Sequence, residues 1–423
     1  MKPTPSARTV HQEYIADSVD NAKLRTLSPV DPVRNPYSPG AGTRPPALVG
    51  RDREIDSMDV VLQRLRLGRD GRSQLLTGLR GVGKTVMLNE FEQLADGRGY
   101  FHEHIEVTEE GDLAPRLAAA FRRVLLSMEA RRRIGERIRR ALGVLKAFSI
   151  SLPDGPELSI DVATVFGPAD SGDLATDLAG LFVEIGEVAR DHDTGVLITI
   201  DELHYVNVQT LEALVMGLHR ASQLRLPITV AGAGLPTLAA LTGEAKSYAE
   251  RMFVFPVIGS LPDSEAREAL VVPAADEKVR WQDDALDAVL RETQGYPYFL
   301  QEFGKQAWDA AEDPVVITAG DVERSIPVAT AELDDGFFRV RTGRTSDPER
   351  AYLRAMAELG PGPVRSGEVA AMLNRRTTAL GPTRDGLIRK ALCYSPRWGE
   401  IDFTVPLFGD FMKRWIPDLS RLL

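Results

Sequence analysis

The sequence predicts an α/β protein with a three-layer base on a parallel sheet, a helical lid and a C-terminal winged helix-turn-helix. Three observations predict it. Short apolar runs alternate with amphipathic helical stretches from residue 47 to about 260, as in a parallel sheet covered on both faces. Gly78-Leu79-Arg80-Gly81-Val82-Gly83-Lys84-Thr85 fits the spacing G-x-x-x-x-G-K-[ST] between a strand-like and a helix-like segment. From Pro262 the apolar pattern turns helical throughout, and from Asp347 it runs helix, helix, helix, strand, strand. We divide the chain into a Pro-rich tail over 1–46, a base over 47–260, a lid over 261–335 and a winged-helix domain over 336–423.

Composition narrows the function. The 423 residues are 43% hydrophobic and 26% charged, ordinary for a globular protein of two or three domains. A formal net charge of −10 argues against a globally basic nucleic-acid binder, so any DNA contact needs a local patch. The single cysteine, Cys393, excludes an internal disulfide and a thiolate zinc cluster. No apolar run reaches membrane-spanning length and no signal-peptide core is visible, so we expect a cytoplasmic protein without membrane contact.

The elements follow in order. Residues 1–46 hold eight of the 27 prolines and read as a tail or arm, with Tyr14, Ile15, Leu24 and Leu27 as residues able to dock. A helix runs from Leu48-Val49-Gly50-Arg51 through Leu67, and Ser73–Thr77 is a short buried strand. Met87, Leu88, Phe91 and Leu94 mark the helix after the glycine-rich loop. Tyr100–Val107 alternates as a strand. Its His102-x-His104 pair suits either a polar strand face or a metal. Leu113–Leu145 reads as helix, with a basic run Arg131–Arg140 that is either a solvated face or a partner surface. Phe148–Leu152 and Leu158–Val162 read as the arms of a β-hairpin, part of an insertion over about 125–165. Asp170, Ser171 and Asp173 open a helix as caps. Gly195–Ile200 is a strand buried on both faces, ending in Asp201-Glu202. Leu226–Ala231 and Met252–Val257 are further strands, with helices over Leu211–Leu224 and Leu235–Leu241. In the lid, Trp281–Leu290 and Tyr298–Trp308 are the clearest helices. Then come helices Glu349–Leu359, Ser366–Leu373 and Thr378–Lys390, with Gly381-Pro382 able to shorten or kink the last. Strands Leu392–Tyr394 and Ile401–Val405 close the chain.

The glycine-rich stretch carries chemistry. Gly78, Gly81 and Gly83 lack a Cβ, so the backbone can turn left-handed and press its N–H groups, with those of Arg80, Val82 and Val86, onto phosphate oxygens. Lys84 supplies a charge for the outer phosphates and Thr85 a hydroxyl for Mg²⁺. Asp201, at the end of a central strand, suits the same metal, and Glu202 is placed to orient or deprotonate water. His204 reads as structural.

These residues resemble the AAA+ and STAND classes of ATPase, within the origin-recognition-like group, over residues 47–423. The resemblance implies ATP with Mg²⁺, held at Thr85 and Asp201, and catalysis by Glu202 and Lys84. It places adenine near Val49 and Arg51, and near Pro297 of Gly295-Tyr296-Pro297-Tyr298. Arg251, just before the last strand, matches an arginine that reaches a neighbouring subunit's γ-phosphate, which implies a nucleotide-dependent homo-oligomer; a surface ion pair is the other reading. The fourth strand ends in Gly232-Ala233-Gly234, without the usual Asn or Thr, and the usual lid arginine falls near Tyr298. Both departures imply slow turnover, with ATP and ADP acting as a switch.

Residues 347–423 carry twelve Lys and Arg against nine Asp and Glu. Arg375, Arg376, Arg384, Arg389, Lys390 and Arg397 cluster about the expected recognition helix, and they suit double-stranded DNA. The sequence therefore supports an ATPase that couples nucleotide state to DNA, of initiator or loader type. Two other readings stay open: a signalling or defence switch whose winged helix contacts protein, and a nucleotide-binding scaffold that hardly hydrolyses.

Overall fold

A computed structural model describes residues 30–40, 42–109, 113–131, 135–152, 162–246 and 249–422. The chain forms two compact units. Among the described residues, one comprises 30–40, Pro45–Val49 and Leu261–Leu333; the other comprises 42–44 and those within 50–260 and 334–422. Among the described residues no helix is long and apolar enough to cross a membrane.

In the larger unit, α1 (Asp52–Arg66) precedes β1 (Ser73–Thr77), which leads into α2 (Lys84–Gly97) and β2 (Phe101–Glu106). Helices α3 (Leu113–Arg131), α4 (Glu136–Ser151) and α5 (Leu174–Asp191) follow, then β3 (Val196–Asp201), α6 (Val208–Gln223) and β4 (Ile228–Gly234). Helices α7 (Leu238–Ala245) and α8 (Ala249–Met252) lead to the short β5 (Phe253–Val254). The five strands form one sheet in the order β2-β3-β4-β1-β5, and every pairing is parallel. Strands β1, β3 and β4 are buried along their whole length, as their near-continuous apolar runs require. Phe121 of α3 and Phe182 of α5 meet edge-to-face at 5.2 Å in the core.

The first arm of the expected hairpin is a correction. Residues 148–151 are the last turn of α4, where Leu142, Leu145 and Phe148 continue one buried helical stripe. Alternation over only five residues does not distinguish a strand from a helix end. The turn and most of the second arm lie outside the described residues. The basic run also divides between α3 and α4. Arg137 pairs with Glu187 at 2.8 Å and with Asp191 at 3.1 Å, and Arg140 pairs with Glu184 at 3.2 Å, so this face is engaged with α5.

In the smaller unit, helices α9 (Asp263–Asp276), α10 (Asp283–Thr293), α11 (Pro297–Ala310) and α12 (Ala319–Glu332) pack together. Two-residue strands β6 (Arg280–Trp281) and β7 (Val316–Ile317) pair in parallel between them, so Trp281 sits in a strand rather than opening a helix. Residues 30–40 are docked here. The Tyr37 hydroxyl donates to Leu270 O and accepts from Trp281 Nε1 at 2.8 Å, and its ring meets Trp281 and Trp308 edge-on. Tyr14, Ile15, Leu24 and Leu27 lie outside the described residues.

The C-terminal part of the larger unit holds α13 (Asp347–Leu359), β8 (Val364–Arg365), α14 (Ser366–Met372), α15 (Gly381–Arg389), β9 (Cys393–Tyr394), β10 (Glu400–Phe403) and α16 (Phe408–Trp415). The three strands form a small sheet in the order β8-β10-β9, with both pairings antiparallel. Pro382 falls within the first two positions of α15, where its missing N–H is harmless, and a 3₁₀ turn over Thr377–Leu380 precedes it. Phe338 packs against Phe408 and Phe411 of α16, with centroids 5.1 to 5.7 Å apart.

Candidate nucleotide site

The site begins at the carboxyl end of β1. The loop is anchored at its start: Gly78 N–H donates to Gly234 O at the end of β4 across 3.1 Å, and Thr77 N–H donates to Pro256 O at 2.9 Å. Gly81 and Gly83 take left-handed φ of 83° and 94°, as the motif requires. Gly78 is needed for a different reason. A Cβ there would fall 2.1 Å from the carbonyl oxygen of Ile258, so the constraint is close backbone approach rather than a left-handed turn. Val82 and Val86 are buried and hold the loop to the core. Lys84 opens α2 and is itself buried; its Nζ donates to Gly78 O at 3.1 Å and Leu79 O at 2.8 Å. Burial pushes its pKa down, while the nearby Glu202 and Asp201 carboxylates pull it back up.

Thr85 and Asp201 meet directly, with Thr85 Oγ1 donating to Asp201 Oδ2 at 2.6 Å. The other Asp201 oxygen accepts the Glu202 N–H at 2.8 Å. Glu202 has φ of 53° and ψ of 34°, a left-handed conformation that costs a non-glycine residue about 1–2 kcal/mol. Strain of this kind is held by its surroundings. Arg80 Nη2 donates to the Tyr205 hydroxyl at 2.9 Å and lies 3.8 Å from Glu202 Oε1. His204 Nδ1 lies 3.2 Å from Glu202 Oε2. That contact is not a charged pair, because burial and the Arg80 and Lys84 cations push the imidazole pKa down to about 3. The Arg80 amide also donates to Thr404 O across 3.2 Å, joining the loop to the segment after β10.

This donor set fits a triphosphate with a hard cation. A hydroxyl and a carboxylate touching at 2.6 Å are the oxygen ligands Mg²⁺ takes, beside a lysine and left-handed loop glycines. Thr85 and Asp201 would hold the ion, which when bound neutralises charge on the phosphates.

Other expected residues are placed less centrally. Arg51 donates from Nη2 to Gly259 O at 2.7 Å, tying the entry of α1 to the chain after β5. Val49 and Pro297 belong to the smaller unit, Pro297 as the first residue of α11. Arg251 is exposed on α8 and, with Arg53, Arg72 and Arg225, lines an open groove of about 1070 Å³. Arg375, Arg376, Arg389 and Arg397 are exposed. Arg384 and Lys390 are engaged within the domain. Arg384 donates to Ser395 Oγ at 2.9 Å, and Lys390 reaches Glu349 at 2.7 Å and Arg344 O at 2.8 Å. Asp173 caps α5 by accepting the Thr176 N–H at 2.8 Å, and Asp177 accepts the Ser171 N–H at 2.7 Å. His102 and His104 face acids of α2, with Glu92 3.2 Å from His104 and Asp96 3.3 Å from His102. Among the described residues no group of three or more His, Cys, Asp or Glu side chains could hold a metal ion.

Sequence reasoning missed the Arg80–Tyr205–Glu202 arrangement, because Arg80 occupies a freely variable position of the motif. It missed Thr404, which acts through its carbonyl and leaves no mark in the sequence.

Residues 47–230 match the family model described as AAA ATPase domain, and residues 335–412 match one described as a domain of unknown function, DUF8462. Residues 47–230 are an AAA ATPase domain. No curated protein matches the chain. Among solved structures, a Walker-type ATPase of Pyrococcus abyssi superposes with a TM-score of 0.52 at 13% identity, over 88% of this chain and 97% of that one. The Aeropyrum pernix ORC1 protein, solved in complex with DNA, gives 0.42 at 14% identity over 89% and 95%. The Thermotoga maritima RuvB Holliday junction branch migration motor gives 0.42 at 16% identity over 84% and 92%. The AAA ATPase domain makes this chain an ATPase, and its phosphate loop, Asp201 and Glu202 stand together at one edge of the sheet.

Proposed function

We propose that the AAA ATPase domain binds ATP with Mg²⁺, hydrolyses it slowly, and couples nucleotide state to DNA association through residues 336–423 acting as a winged helix. Lys84 binds the outer phosphates, Thr85 and Asp201 hold the ion, and Glu202 orients the attacking water. The bare Gly234 at the end of β4 supports slow turnover, because it offers no polar side chain to the phosphates. Arg251, exposed on α8, acts on a neighbouring copy's nucleotide in a nucleotide-dependent homo-oligomer.

One observation carries the coupling: the hydrogen bond from the Arg80 amide to Thr404 O. Any rearrangement of the loop around phosphate is felt directly in the chain between β10 and α16. Arg375, Arg376, Arg389 and Arg397 remain available for phosphate contacts, and Trp398, fully exposed beside Arg397, suits stacking or groove insertion.

The second reading is a signalling switch whose C-terminal domain contacts protein. The internal engagement of Arg384 and Lys390 favours it, since only four of six expected cations stay exposed. Duplex binding measured by anisotropy at low salt, with ADP and with a non-hydrolysable ATP analogue, decides between them. DNA coupling predicts at least a tenfold difference between the two nucleotides. Absence of duplex binding in both states supports the switch.

A further inference from the structure

We propose that His204 is a positioning residue for catalysis, holding one oxygen of Glu202 so that the other faces the attacking water. The proposal rests on the reading of Glu202 given above.

The geometry is specific. His204 Nδ1 lies 3.2 Å from Glu202 Oε2, and the imidazole is only 7% exposed. Among the described residues, neither ring nitrogen of His204 nor Oε2 of Glu202 has a fully formed hydrogen bond. Buried polar atoms are rarely left so, because each forfeits its hydration, and unsatisfied groups concentrate where chemistry occurs. The two face each other at 3.2 Å, and when they pair the neutral imidazole is the donor. Its neutrality matters. A charged partner would neutralise Glu202 as a base, whereas a neutral N–H fixes the carboxylate and leaves its charge for the water.

The ring is itself held. It lies against the Tyr205 ring with centroids 4.3 Å apart and planes tilted by 35°, and Tyr205 accepts from Arg80. Gly234 packs close to the His204 backbone: an added Cβ there would come within 3.3 Å of the His204 amide nitrogen and 3.5 Å of its Cβ. The end of β4 therefore leaves the turn that carries Glu202 and His204 room to pack against it. Arg80, Tyr205 and His204 frame Glu202, whose left-handed backbone aims its carboxylate into that frame.

The test is single-turnover ATP hydrolysis with nucleotide affinity and thermal midpoint measured in parallel. His204→Phe keeps an aromatic ring against Tyr205 but removes both nitrogens; His204→Gln keeps an N–H donor. We expect His204→Phe to lower the rate at least tenfold with ATP affinity and midpoint nearly unchanged, and His204→Gln to recover most of the loss. In a Glu202→Gln background, His204→Phe should cost nothing more. Should His204→Phe not fold, His204→Met against His204→Gln makes the same comparison. Equal loss in the Phe and Gln variants, an unaffected rate in His204→Phe, or additive losses in the double variant overturns the proposal. Full turnover in Glu202→Gln alone overturns it together with the reading of Glu202, whereas lost turnover in Glu202→Gln beside an intact His204→Phe rate overturns only the role of His204.

Discussion

The Thr85 hydroxyl donates to the Asp201 carboxylate at 2.6 Å although 116 residues separate them. A wholly parallel sheet explains it. Strands β1 and β3 flank β4, all three run the same way, and so the loop after β1 and the acid ending β3 emerge at one edge. Everything proposed about catalysis depends on that edge.

Glu202→Gln should leave ATP binding within about threefold of wild type and lower turnover at least a hundredfold, roughly 2.7 kcal/mol of barrier. Calorimetry and a phosphate-release assay on the same preparation check both halves. Unchanged turnover removes Glu202 from the mechanism.

Arg251 is exposed on α8, so its expected role requires a second molecule. Wild-type specific activity should rise with protein concentration, and Arg251→Ala should flatten that rise while leaving ATP affinity alone. Activity independent of concentration in the wild type contradicts the role.

The C-terminal cations should separate into two classes. Lys390→Ala leaves the Glu349 carboxylate with its Ser346 hydrogen bonds but without the cation at 2.7 Å, and should destabilise the protein by roughly 1–3 kcal/mol, read from denaturant melts. Arg375→Ala with Arg376→Ala should leave stability unchanged and, if DNA is bound, lower the salt slope of duplex binding by about 0.9 for each phosphate that is no longer neutralised. The reverse pattern contradicts the assignment.

The α2–β2 contact should show in the pH dependence of stability. His104 Nδ1 lies 3.2 Å from Glu92, and that hydrogen bond raises the imidazole pKa against the opposing effect of burial, with Asp201 and Glu106 adding to the rise. Burial pushes Glu92 up, but its bonds from His104 and Thr199 outweigh this and hold it below its usual value. A raised histidine contributes fully below its unfolded value of 6.5, and its contribution fades as pH climbs through the folded value. A lowered glutamate contributes above its unfolded value of 4.5, and its contribution fades as pH falls through the folded value. The pair is therefore strongest between 4.5 and 6.5. His104→Gln should cost about 1 kcal/mol or less there, since the partly exposed ring is screened, and progressively less above neutrality. A cost that does not change with pH contradicts the pairing.

Much of this was legible because it is local. The glycine spacing, the buried strand before it and the Asp201-Glu202 pair each carry their meaning within a few residues. What was not legible came from two sources. Phe148–Ser151 alternates over too few positions to separate a strand from the end of α4. Docking of Tyr37 among Trp281 and Trp308, the pairing of Lys390 with Glu349, and the Thr404 carbonyl on Arg80 all join residues distant in sequence. Periodicity records which face of an element is apolar, not which distant group meets it.

The most direct measurement is ATP binding by calorimetry with and without Mg²⁺, for wild type, Lys84→Ala and Asp201→Asn. A triphosphate and its ion between Lys84 and Asp201 predict a loss of at least a hundredfold in Lys84→Ala, about 2.7 kcal/mol, and loss of the Mg²⁺ dependence in Asp201→Asn. Wild-type affinity in Lys84→Ala, with an undiminished Mg²⁺ effect in Asp201→Asn, would contradict it.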